Sequence, residues 1–185
     1  MILEKLKEFP KNLYILIITI VGFLIFILTS ALVFMPLNMM VPPPYGVLDF
    51  EFAWVPEQVL IIFASWGPSG MATETLVIYW DFLYIVGYGS FIFGAILLVT
   101  RRLEGRFQKI GLWMTLTPIL AGIFDIIENI NLLVMLDKAP IFSSFVPFIA
   151  SLVASIKFSV LFIGIAFFFV ALIIVIIRLI RKRGY

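Results

Sequence analysis

Four apolar stretches fill most of this chain, each long enough to form a helix that crosses a bilayer. They cover residues 14–34, 76–100, 110–135 and a section within 145–177 that is most apolar over 158–177. A bilayer's hydrocarbon core is about 30 Å thick and takes about 20 helical residues to cross. Of the 185 residues, 63% are hydrophobic and only 13% charged, against about 25% charged in an ordinary soluble domain. The expected architecture is all-α: a polytopic membrane protein with four transmembrane helices in a compact bundle. Residues 1–185 read as a single integral-membrane domain, with an amphipathic outer loop at approximately 37–75 that carries short interfacial helices.

The chain has neither Cys nor His. That excludes thiol catalysis, disulfides, thiolate zinc sites and His-ligated haem or copper, and it removes imidazole as a proton shuttle near neutral pH. Acid–base chemistry falls to carboxylates, Tyr, Lys and water. An all-oxygen magnesium or calcium site stays open in principle, but no cation-binding loop is present. No glycine-rich phosphate loop or dinucleotide fingerprint is present either. No cofactor and no metal are expected.

Basic residues mark one side. Lys5, Lys7 and Lys11 precede the first span, Arg101, Arg102, Arg106 and Lys109 separate the second and third, and Arg178, Arg181, Lys182 and Arg183 follow the fourth. The long connection after the first span has no Lys or Arg and carries Asp49, Glu51, Glu57 and Glu74. The positive-inside rule therefore predicts a multi-pass protein of the cell membrane with N- and C-termini cytoplasmic. The first span reads more readily as an uncleaved signal anchor than as a cleaved signal peptide. The basic clusters flank spans, so topology and anionic lipid headgroups account for them without nucleic acid. Membrane lipids are the expected partners, with a protein partner or a homo-oligomer beside them.

The outer loop is aromatic and proline-rich. Pro42–Pro44 should be extended. Pro56 suits the first turn of a short helix, and Gly67-Pro68-Ser69-Gly70 should end it. Trp54 and Trp66 suit headgroup-level anchoring, with Leu60, Ile61, Ile62 and Phe63 as the apolar part. A cap over the bundle, a lid for a lipid, and a docking surface for another subunit are the three uses this composition allows.

Ionisable side chains inside the apolar stretches carry the functional signal, because charge in hydrocarbon is expensive. Asp81, Tyr84 and Tyr88 share one face of the second span, and Gly87, Ser90 and Gly94 form a small-residue row suited to close helix packing. In the third span Asp125 shares a stripe with Glu128 and Asn129, and Pro118 should bend the helix below them. Lys157 opens the densest part of the fourth, where its long stem also allows it to snorkel outward. From the basic flanks, Asp81, Asp125, Glu128 and Lys157 each sit ~24–32 Å along their helices, near one leaflet. Asp81, Asp125 and Glu128 are thus expected to converge under the outer loop, with Lys157 neutralising one carboxylate and Tyr84 and Asn129 completing the hydrogen bonds. Pro147 is expected to split a short interfacial helix from the fourth span, unless that helix projects well past the bilayer.

Asp125, Glu128 and Asp81 are the candidate catalytic or proton-exchanging groups. Tyr84, Tyr88, Asn129 and Lys157 are the candidate ligand-binding groups. Three functions fit them. The first is an integral-membrane structural or accessory subunit of a larger complex. The second is a transporter of an ion, small solute or lipid that uses the intramembrane carboxylates. The third is a membrane-embedded enzyme acting on a lipid or isoprenoid-like substrate.

Overall fold

The computed structural model describes residues 2–183, with side chains over 3–181; the side chains of the terminal basic residues Lys182 and Arg183 lie outside the described ones. Every regular element among the described residues is helical: α1 (Ile2–Lys5), α2 (Asn12–Thr29), a π-helical turn at Ser30–Phe34, α3 (Met35–Asn38), α4 (Val47–Glu51), α5 (Pro56–Thr100), α6 (Gly105–Met114), α7 (Thr117–Lys138) and α8 (Phe145–Arg183). Four helices are long and apolar enough to cross a membrane: Asn12–Asn38, Pro56–Thr100, Gly105–Lys138 and Phe145–Arg181. The first runs four residues past the expected end at residue 34. Its π-helical turn precedes Pro36, which has no N–H to offer the carbonyl one turn back.

The expected short helix after Pro56 and the second span are one helix broken at Gly67, where φ is 62° and ψ is −177°. Essentially only glycine adopts that backbone. Pro68 then occupies the first turn of the second part, where its missing N–H costs nothing. The long apolar part therefore starts at Pro68, eight residues before the expected boundary, and draws Glu74 into the helix. Pro118 acts as expected: the third span breaks at Thr115–Leu116 between α6 and α7. Pro147 does not split the fourth. It lies in the first turn of an unbroken 39-residue α8, where it breaks no intrahelical bond.

Helix α2 packs along α5, and α7 packs along both α5 and α8. The α2–α5 contact uses the small-residue row. A Cβ on Gly22 would lie 2.7 Å from Phe91 N, and one on Gly87 2.8 Å from Phe26 N. The helix axes approach closely because those methyl groups are missing.

The main core sits at the acidic end of the helices. Phe50, Val59, Ile62, Phe63 and Trp66 pack on Ile78, Leu132, Met135 and Ala150. Val59, Ile62, Phe63 and Trp66 recur at helical spacing, so residues 56–66, the first part of α5, bury one stripe against the later part of α5, α7 and α8. Trp66 is thus a core residue, 1% exposed, with its indole N–H donating to Tyr45 O. The expected interfacial role fits only Trp54, Leu60 and Ile61, which stay open to the outside. At the opposite, basic end, Ile15, Leu97 and Leu112 form a smaller core. There Arg101 ties down the N-terminal segment by donating to Leu6 O, Pro10 O and Asn12 Oδ1.

Candidate functional site

Four elements bring their ionisable side chains to one place beneath the acidic-end core. Lys157 of α8 is the hub. Its Nζ lies 2.9 Å from Asp125 Oδ1, 2.6 Å from Glu128 Oε2 and 3.7 Å from Glu51 Oε2. The Tyr88 hydroxyl donates to Asp125 Oδ2 at 2.8 Å, and Asn129 Nδ2 donates to Asp81 Oδ2 at 2.7 Å. The i, i+3, i+4 spacing of Asp125, Glu128 and Asn129 turns all three to one side of α7. Lys157 is 5% exposed, so its side chain points inward to the carboxylates and does not snorkel.

Tyr88 supplies the phenol bond expected from Tyr84. One turn nearer the acidic end, the Tyr84 ring packs between Phe26 and Phe34, with centroids 5.1 and 4.9 Å away. The difference is a matter of rotation. Both tyrosines lie on one stripe of α5, but only position 88 faces α7.

One acidic group, Glu51, joins the site from the segment read as an outer loop, and a second, Glu74, is buried on α5 without joining it. Glu51 ends α4 and lies against the Lys157 ammonium. Burial pushes its carboxyl above the ordinary carboxylate range, the Lys157 charge opposes that, and the Asp125 charge adds to it. What fixes Glu51 is its loop. Trp54 holds a left-handed backbone, φ 60°, and its N–H donates to the buried Ser151 Oγ of α8 at 2.9 Å. Glu74 on α5 is fully buried, and neither of its carboxyl oxygens has a hydrogen-bond partner. Its sequence context points to the loop, and only the early start of the long apolar helix places it inside. For Glu51 the one available signal is an acid flanked directly by Phe50 and Phe52 in a segment without Lys or Arg.

The cluster borders a cavity of about 540 Å³. Glu51, Asp81, Asp125, Asn129 and Lys157 form one end of it, and Phe26, Phe34, Tyr84 and Tyr88 stand beside them. Away from the charges the wall is apolar, built from Phe91, Ile92 and Ala95 on α5 and Leu161, Ile165 and Phe168 on α8. Helices α2 and α8 both line the cavity without packing extensively on each other. Glu128 lies behind this wall, fully buried, with Oε1 lacking a hydrogen-bond partner.

The site counts four carboxyl groups against one ammonium. Both oxygens of Asp125 are engaged, whereas Glu51 Oε2 accepts no hydrogen bond and Asp81 is held through one oxygen. Among the described residues no three acidic groups take up metal-ligand geometry. Such an arrangement can hold or exchange protons and can accept a cationic group. No known protein family, curated protein or solved structure matches this chain.

Proposed function

We propose that this chain is an integral-membrane transporter that binds a lipid-like or small organic solute and exchanges it against protons at its buried carboxylates. In this reading the four long helices span the membrane as a compact bundle, with the basic ends and both termini at the cytoplasmic side. The outward faces support insertion: Leu16, Ile20 and Leu24 on α2, Leu83 and Val86 on α5, Ile123 and Ile126 on α7, and Phe162 and Ile173 on α8 are exposed and apolar. The basic flanks support the orientation.

The observation that carries the reading is the position of the charges on a cavity wall. A polar network that only holds helices together is best packed out and fully satisfied. Here the carboxylates outnumber the one ammonium, leave oxygens unpartnered, and border an open volume in the size range of small-molecule sites. Asp81 and Glu51, whose oxygens are the least engaged on that wall, are assigned the proton exchange. Asp125 and Glu128 hold Lys157 and set the field.

The test is reconstitution into liposomes containing a pH-sensitive dye. Solute gradients across a panel of amphiphiles should drive proton movement, and Asp81→Asn should abolish it with folding intact. A folded, correctly inserted protein that moves neither solute nor protons sinks the proposal.

The accessory-subunit reading is supported by α2, which packs mainly on α5 and leaves broad apolar faces for a neighbour. A stoichiometric foreign protein retained on native mass spectrometry from lipid nanodiscs would favour it.

A further inference from the structure

The chemistry of the cavity also specifies the head of its ligand. We infer that the cavity takes a single-chain amphiphile with a cationic, amine-type head, seated on Asp81 and Glu51. This rests on reading the cavity as a ligand site.

Charge balance comes first. Among the described residues Lys157 is the sole cation at the site, and its ammonium is held closely by Asp125 and Glu128, with Glu51 farther off at 3.7 Å. An anionic head entering the cavity would find no free positive partner and would face two carboxylates. A neutral hydroxyl head can donate to Glu51 Oε2, which is buried and without a hydrogen-bond partner, but it leaves the excess negative charge uncompensated. An ammonium head supplies both charge and donors, and takes the place of protons held there.

The aromatic wall selects the same head. Phe26, Phe34 and Tyr84 form a contiguous group of rings on the Asp81 side of the cavity. Aromatic faces beside carboxylates are the usual surroundings of alkylammonium groups. The wall already holds one ammonium this way: Lys157 Nζ sits 4.6 Å from the centroid of the Phe158 ring.

The rest of the cavity fits a tail. Asp81 and Ala95 both line it, and their separation of 14 positions spans ~21 Å of helix. That stretch bears no charged side chain on the cavity wall beyond the cluster. The volume of about 540 Å³ suits one chain.

Dodecylamine, dodecanol and dodecanoate share a tail and differ in head, so they separate head recognition from tail burial. The purified protein in zwitterionic nanodiscs is loaded with each at equal membrane mole fraction. Adducts retained in native mass spectrometry are then counted. The amine is expected to be retained at least about tenfold over the alcohol, and the carboxylate least. Asp81→Asn should remove the preference for the amine. Ala95→Trp, which fills the tail section and leaves the charges in place, should reduce retention of the amine even if Asp81→Asn fails to fold. Equal retention of amine and alcohol overturns the cationic head and leaves the transport proposal standing. Retention of none of the three overturns it as well, and if liposome uptake is also absent, the transport proposal falls with it.

Discussion

Replacing Lys157 with Met tests the electrostatic centre of this protein most directly. Its ammonium lies 2.9 Å from Asp125 and 2.6 Å from Glu128, and all three side chains are almost wholly buried. At an effective dielectric near 20, each contact is a gross attraction of ~6 kcal/mol. Desolvation of the ions offsets much of that, and removing one partner of a buried pair typically costs about 3–5 kcal/mol because a charge is left uncompensated. Methionine nearly preserves the volume, so packing contributes little. Lys157→Met should therefore lower the unfolding free energy by about 3–5 kcal/mol, measured at neutral pH by reversible SDS titration in mixed micelles. Adding Glu128→Gln should recover part of the loss by removing one stranded charge, and acidification should narrow the gap because protonation does the same. A loss below ~1 kcal/mol, as for an exposed pair, would refute the hub role of Lys157. So would a double variant that is worse than the single variant by the full cost of Glu128→Gln alone.

Three further outcomes follow from the same structure. Glu51 lies outside the four long apolar helices, and burial raises its folded-state value. The stability it contributes is complete below the unfolded value of ~4.3 and is lost as pH rises through the raised one. The stability difference between wild type and Glu51→Gln should thus fall as pH rises from about 4, and a flat difference contradicts the burial. Glu74 is fully buried with both oxygens unpartnered, so Glu74→Leu should stabilise by about 1–3 kcal/mol in the same titration, whereas a destabilisation would show that the carboxyl has a stabilising role. Gly87→Val places side-chain carbon 2.8 Å from Phe26 N, which must push α2 off α5 and should cost about 1–3 kcal/mol; a change within 0.5 kcal/mol, typical of surface substitutions, argues against that close approach.

Much of this architecture is written in local sequence. Apolar run length marks four helices because a bilayer-length helix needs about 20 such residues wherever it sits. Pro118 and the Gly67–Pro68 pair mark breaks because their backbone limits are intrinsic. The i, i+3, i+4 spacing of Asp125, Glu128 and Asn129 puts them on one face before any packing is known. The small residues at Gly87, Ser90 and Gly94 announce a close neighbour, though not that the neighbour is α2 at Gly22.

Only the tertiary structure decided which groups share the site. Glu51 reaches Lys157 because its loop folds back on α8 through Trp54 and Ser151, residues 97 positions apart. Nothing within the loop encodes that return. Tyr88 bonds Asp125 in place of Tyr84 because the rotation of α5 against α7 is set by side-chain packing along their whole contact. Trp66 is core and not interface for a similar reason: the stripe from Val59 to Trp66 is apolar enough for lipid or for protein, and the choice rests on α5, α7 and α8 offering a matching surface. The cavity is the clearest case. Periodicity and composition describe what each helix presents to its neighbours. The space left between them depends on the positions of all the helices together.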